Sequence, residues 1–235
     1  MTLLRSAVFN LFFFVVTFLM VVILATPVRL MAPHRVLDLA RLWARIMLRA
    51  VRLICGIRLH VTGLERLGSG AALIASQHQS AFDTFVWLTL VPRCCYVLKR
   101  ELLRIPLFGP LMPLAGMIAV DRSAGAGALR GLLRDGDRAK QEERQIVIFP
   151  EGTRAEPGRL LPLQPGVAAL ASRTGLPVIP VVTDSGHCWG RRSFRKRAGT
   201  IHIRILAALP AGDRGGLMQS LTQALRSPAV ENSVG

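Results

Sequence analysis

The chain opens on a long apolar run. Residues 7–26 read AVFNLFFFVVTFLMVVILAT, and no charge falls between Arg5 and Arg29. That is long enough for one helix to cross the hydrocarbon core of a bilayer, and it exceeds the roughly 7–15 apolar residues of a signal peptide. The period then changes. In VLDLARLWARIMLRAVRLICG, 36–56, Arg41, Arg45, Arg49 and Arg52 recur at helical spacing, with Leu39, Leu42, Trp43, Ile46, Val51 and Leu53 around the rest. This predicts a basic amphipathic helix of the kind that lies among lipid headgroups. Pro27 and Pro33 separate the two segments and predict a break or bend between them. Residues 1–56 are therefore expected to form a membrane-anchoring helical arm, whose first helix either spans the bilayer or dips in and returns.

From residue 57 short apolar runs alternate with helical stretches. Strands are predicted at AALIAS (71–76), RCCYVLK (93–99), GMIAV (116–120), QIVIF (145–149), LPVIPVV (176–182) and GTIHIRIL (199–206). Helices are predicted at 128–143, at 166–175 with Gly175 as C-cap, and at 214–226. Such alternation predicts an α/β fold: a mixed, mostly parallel sheet flanked by helices, over residues 57–226. Residues 227–235 are expected to be a disordered tail.

Composition sharpens the picture. Apolar residues make up 51% of the 235, yet the formal net charge is +16. A chain both greasy and basic suits an anionic membrane surface better than nucleic acid, and 6% aromatic residues offer little for base stacking. The arginine-rich segment after the first run would stay cytoplasmic by the positive-inside rule, so an inner or cytoplasmic membrane with the α/β part on the cytoplasmic side is expected. Cys55, Cys94, Cys95 and Cys188 form no CxxC pair, so no metal site is expected, and they read as buried free thiols.

Polar islands follow the predicted strands. The first is His78 to Asp83, in ASQHQSAFD. Five positions on a continuous helix rotate by about 500°, so the two side chains meet only if His78 lies in a turn and Asp83 in the first helical turn. Ser80 and Asp83 form an S-x-x-D capping box that would start such a helix. Read alone, the stretch fits a helix cap as well as a base with its orienting carboxylate. The others are KREL from Lys99, Asp121-Arg122 and FPEGTR at 149–154. Each is either a solvated turn or a phosphate cradle, in which Gly152 lets backbone approach a ligand and Arg154 offers a two-pronged donor.

The order H-Q-S-x-x-D, K-R-E-L, G-M-I-x-x-D-R, F-P-E-G-T-R and P-V-I-P-V resembles the glycerophospholipid acyltransferase family, and within it the branch that acylates 1-acylglycerol 3-phosphate. The likeness runs from about His78 to Val181. It departs at Gln77, where the family commonly has Asn, and at Ala119, where a bulkier residue is usual. The resemblance implies that His78 is the general base and Asp83 its orienting carboxylate. Lys99, Arg122, Glu151, Gly152, Thr153 and Arg154 would bind the acceptor, lysophosphatidate, with Glu151 contacting the glycerol or ordering the arginines. The acyl donor would be acyl-CoA or acyl-ACP, with no cofactor, and the product phosphatidic acid. Histidine exchanges protons near neutral pH, as a general base must. Other acceptors (glycerol 3-phosphate, another lysophospholipid, a lyso-aminolipid) and a non-catalytic lipid-binding protein are the alternatives. A hydrolase is disfavoured, since no G-x-S-x-G elbow is present. His187 is expected to be non-catalytic. The run Arg191, Arg192, Arg195, Lys196 and Arg197 fits headgroup contacts, carrier-phosphate contacts or a solvated loop.

Overall fold

The computed structural model describes residues 2–121, 124–210 and 213–229. Helix α1, Thr2–Leu19, passes through a widened turn at Met20–Ala25 into α2, Thr26–Met31. Together they form one helix, Thr2–Met31, with a mean hydropathy of 2.8 over its most apolar stretch, of which 11% is buried. It is long and apolar enough to cross a membrane. Leu4, Leu11, Phe14, Phe18 and Ile23 lie exposed along it, an unpaired apolar surface that associates the protein with a membrane.

Pro27 does not break this helix, contrary to expectation. In the turn before it the Thr26 amide donates to the Val21 carbonyl, five residues back. A proline ring collides with the carbonyl four residues back in a regular helix, and a widened turn relieves that contact. The chain leaves helical geometry at Ala32, just ahead of Pro33. Helix α3, Val36–Cys55, then returns antiparallel, so that Trp43 Nε1 donates to Thr17 Oγ1 at 2.9 Å. Its buried stripe is Ala44, Met47, Ala50, Val51 and Cys55. Arg45, Arg49 and Arg52 face outward beside exposed Leu42 and Leu53. Most of the apolar face expected to meet headgroups thus packs inward, because Phe13 and Phe85 close on Trp43 at 5.8 Å each. Gly56, at φ 71°, ends the helix.

The sheet has seven strands in the order β1-β7-β6-β2-β5-β3-β4. These are β1 Ile57–Thr62, β2 Ala72–Ser76, β3 Cys94–Lys99, β4 Ile118–Val120, β5 Gln145–Ile148, β6 Val178–Thr183 and β7 Gly199–Ile205. Every neighbouring pair is parallel except β6 with β7, as the α/β expectation requires. Strands β2 and β5 are buried on both sides. Alternation splits their residues between two cores. Ile74 and Val147 pack beneath α3 and helix α4, Asp83–Leu90. Leu73, Ala75, Ile146 and Ile148 pack beneath α6 (Ala126–Gln141), α7 (Gly166–Thr174) and α9 (Arg214–Ala224). Two short helices, α5 (Leu111–Leu114) and α8 (Ser185–Cys188), complete the chain. Each fully buried isoleucine or leucine contributes roughly 1.5–3 kcal/mol, which anchors the sheet under the loops at its carboxyl edge. Parallel strands deliver those loops to one side, where α/β sheets form their sites.

Candidate active site

Strand β2 ends at Ser76, and the next residues form a tight turn before α4. Asp83 organises that turn with one oxygen. Its Oδ2 accepts the amides of Gln79 and Ser80, each at 2.8 Å, and lies 3.2 Å from His78 Nδ1. The carboxylate reaches back to Ser80 as a capping box requires. The Ser80 hydroxyl, however, accepts the Phe82 amide at 3.1 Å, a shorter turn than the box predicts. Asp83 is 2% exposed and sits in the first turn of α4, where the helix end favours negative charge. An acceptor-only oxygen fixes the proton on Nδ1. His78 Nε2 keeps a lone pair.

His78 is held from two more directions. Its ring stacks on Phe149, centroids 4.1 Å apart and planes within 20°. Its amide donates to Glu151 Oε2 at 3.0 Å, and its carbonyl accepts the Ala155 amide at 2.7 Å. Glu151 Oε1 accepts the Leu161 amide at 3.3 Å. Glu151 is 4% exposed, and burial raises its pKa against the lowering pull of those two amides. Its carboxylate therefore braces the His78 turn instead of presenting itself to a ligand. Both of its oxygens accept backbone amides.

A cavity of about 610 Å³ opens beside His78. Its walls are largely apolar and come from both regions of the chain: Met20, Val21 and Trp43 from the arm, Leu98, Leu111 and Met117 from the α/β region. Lys99, Gly152, Thr153 and Arg154 line it too, so four of the residues expected to bind substrate share it with His78. Gly152 has φ 71°, a left-handed turn that an L side chain resists. Arg122 lies outside the described residues.

Comparison with known proteins meets this geometry. Residues 58–184 match the Acyltransferase family, a span that holds His78, Asp83 and the Glu151–Arg154 turn. The chain belongs to the acyltransferase family. It is 38% identical over 173 residues to a 1-acyl-sn-glycerol-3-phosphate acyltransferase of Pseudomonas aeruginosa, covering 74% of this chain and 67% of that one. It is 32% identical over 183 residues to an enzyme of the same name from Limnanthes douglasii, covering 77% and 65%. The matched stretches thus span about two thirds of these relatives. The fold matches the crystal structure of the 1-acyl-sn-glycerophosphate (LPA) acyltransferase PlsC from Thermotoga maritima, with a TM-score of 0.75, 19% identity and 96% of each chain covered.

Other residues of this acyltransferase take their place around the turn. Gln77, the departure beside the base, holds neighbouring elements together: its Nε2 donates to the Leu225 carbonyl at 2.7 Å and its Oε1 accepts the Thr183 amide at 3.0 Å. His187 is exposed and lines no part of the cavity. The four cysteines are free and buried, and burial pushes the Cys95 thiol up to about 12. Two features were not anticipated. Asp184 and His202 form a second His–Asp pair, Nδ1 to Oδ2 at 2.7 Å, and His60 meets His202 edge-on from β1. The bare alternation of GTIHIRIL and IRLHVT carries no sign of that pairing. Arg191 and Arg192, earlier one of several readings of a basic run, line the cavity.

Proposed function

We propose that the protein transfers a fatty acyl chain from an acyl thioester, acyl-CoA or acyl-ACP, to the sn-2 hydroxyl of 1-acyl-glycerol 3-phosphate, giving phosphatidic acid for phospholipid synthesis. The observation that carries this reading is the sharing of one apolar cavity by the buried-carboxylate-oriented His78 and the cations Lys99 and Arg154. The cavity volume lies within the range of sites that bury small ligands, and its lining suits hydrocarbon. His78 Nε2 removes the hydroxyl proton as the oxygen attacks the thioester carbonyl. Asp83 and the Phe149 face stabilise the imidazolium that forms. The tetrahedral intermediate collapses, the carbon–sulfur bond breaks, and the imidazolium returns its proton to the thiolate. The acceptor hydroxyl is the nucleophile, so no serine or cysteine is required.

Lys99 and Arg154 hold the acceptor phosphate, with Thr153 and the Gly152 turn alongside, and Arg122 completes the set. The helical arm lies in the membrane, so the lipid acceptor enters from the bilayer while the thioester arrives from the cytoplasm. Three outward arginines of α3 favour placement of the α/β region on the cytoplasmic side. The test is acyl transfer to lysophosphatidate by purified protein, wild type against His78→Ala. Phosphatidate formed by wild type alone is the expected result. Equal product from both would remove His78 from the reaction.

A further inference from the structure

The run RRSFRKR at 191–197 is split in two by the fold. Arg191 and Arg192 are exposed and line the cavity. Among the described residues neither has a carboxylate partner. Arg192 has φ 55°, a left-handed conformation that costs a non-glycine residue about 1 kcal/mol or more and persists where surroundings impose it. It is the third position of a tight turn that the Ser193 amide closes on the Gly190 carbonyl at 3.1 Å, and the loop is anchored at its other end. Lys196 is turned away from solvent and is 2% exposed. Its Nζ lies 4.7 Å from the Trp189 ring centroid and 5.5 Å from that of Phe9, and it donates to Asn10 Oδ1 and to the Phe194 carbonyl. Its amide donates to Ser6 Oγ at 2.9 Å, and the Arg197 amide closes the loop on the Cys188 carbonyl at 2.8 Å. A solvated basic loop has no need of such anchoring. Here a short arc is pinned to α1 so that two guanidinium groups stay at the cavity.

Among the described residues, the cavity thus receives cations from two parts of the chain. Lys99 and Arg154 come from the ends of β3 and β5, and Arg191 and Arg192 from the loop after α8. One phosphate monoester, carrying about two negative charges, is matched by the first pair, which Arg122 joins in the proposed acceptor site. The second pair calls for a second anion. Acyl-CoA and acyl-ACP both present the thioester on a pantetheine arm that ends in a phosphate ester. We propose that Arg191 and Arg192 bind this arm-terminal phosphate of the acyl donor, and that Lys196 is the positioning residue that holds their loop against α1. The assignment rests on the thioester-dependent acyl transfer proposed above.

The experiment compares full-length wild type with the Arg191→Gln/Arg192→Gln double variant on three donors: acyl-CoA, acyl-ACP and an acyl-N-acetylcysteamine thioester that lacks the phosphate. The variant is expected to raise the KM for both phosphate-bearing donors about ten-fold or more, and to match wild type on the truncated thioester. The lysophosphatidate KM should stay within about two-fold. A rise in the acceptor KM instead, or an equal loss on the truncated donor, would overturn the assignment. So would a rise for only one carrier, which would point to the nucleotide or to the carrier protein's surface. If wild type transfers from none of the thioesters, the proposed function fails. If wild type is active and the donor KM does not move, only the subsite fails. Lys196→Met should raise the donor KM in the same direction with kcat held, and add nothing in the double-variant background. A lowered kcat or an additive effect would give Lys196 a merely structural role.

Discussion

Two His–Asp pairs stand near one sheet. In the first, His78 follows β2 and lies 3.2 Å from Asp83; in the second, His202 on β7 lies 2.7 Å from Asp184, just after β6. The second pair is the shorter, and Asp184 Oδ1 also accepts the His202 amide at 2.7 Å. By contact geometry alone it is the better dyad. Yet it lines no part of the cavity, and its side chains are 28% and 21% exposed. The His78 side chain is 13% exposed and that of Asp83 2%. His78 also has an aromatic face beneath its ring and cations across its cavity. A histidine bonded to a carboxylate is thus a common structural unit. It becomes a candidate base only where the free nitrogen meets a place for substrate.

The sharpest test of that contrast exchanges each histidine for alanine. His78→Ala should lower kcat by about 10³-fold or more, whereas His202→Ala should leave it within about three-fold. Comparable losses at both would dissolve the distinction. The next effect separates the carboxylates. Asp83→Asn should lower kcat by about 10²–10³-fold, since an amide no longer fixes the proton on Nδ1. Asp184→Asn should keep activity and lower stability by about 1 kcal/mol, read from urea unfolding.

Glu151 gives a smaller loss than either residue of the first pair. Glu151→Gln retains an oxygen for one amide and sets an NH₂ against the other, so kcat should fall about ten-fold through a displaced His78 turn. Its pH signature has a definite sign. Burial raises the Glu151 pKa above its ordinary 4.5, so ionising it opposes folding. Its stabilising contribution is complete below 4.5 and declines as pH rises through the raised folded value. The Gln variant cannot ionise, and thermal melts across that window should lack the decline. A variant that keeps it would assign the decline to another group.

The first pair was legible in the sequence because strand, turn and helix start leave His78 and Asp83 one way to meet. The helix-start contacts and the His–carboxylate contact coexist, since Asp83 Oδ2 serves the amides and the imidazole at once. Glu151 was legible as a motif member but not in its role, because a motif does not tell which way a carboxylate turns after a proline. Strand β1 was missed although IRLHVT alternates, since its edge position leaves it weakly apolar. The second pair depends on register: β6 and β7 align Thr183 with Ile203, which sets Asp184 against His202. Pro27 misled for a local reason, since a widened helical turn can carry a proline that a regular helix rejects.

The arm's contribution to the cavity wall has a practical consequence. Met20, Val21 and Trp43 are the floor on which a lipid tail would rest, and Asn10 and Ser6 receive the buried lysine. Trimming the first thirty residues to obtain a water-soluble enzyme would open that floor and strand Lys196 without its partners. The greasy helix cannot be treated as a detachable tether, and purification must carry it along in detergent.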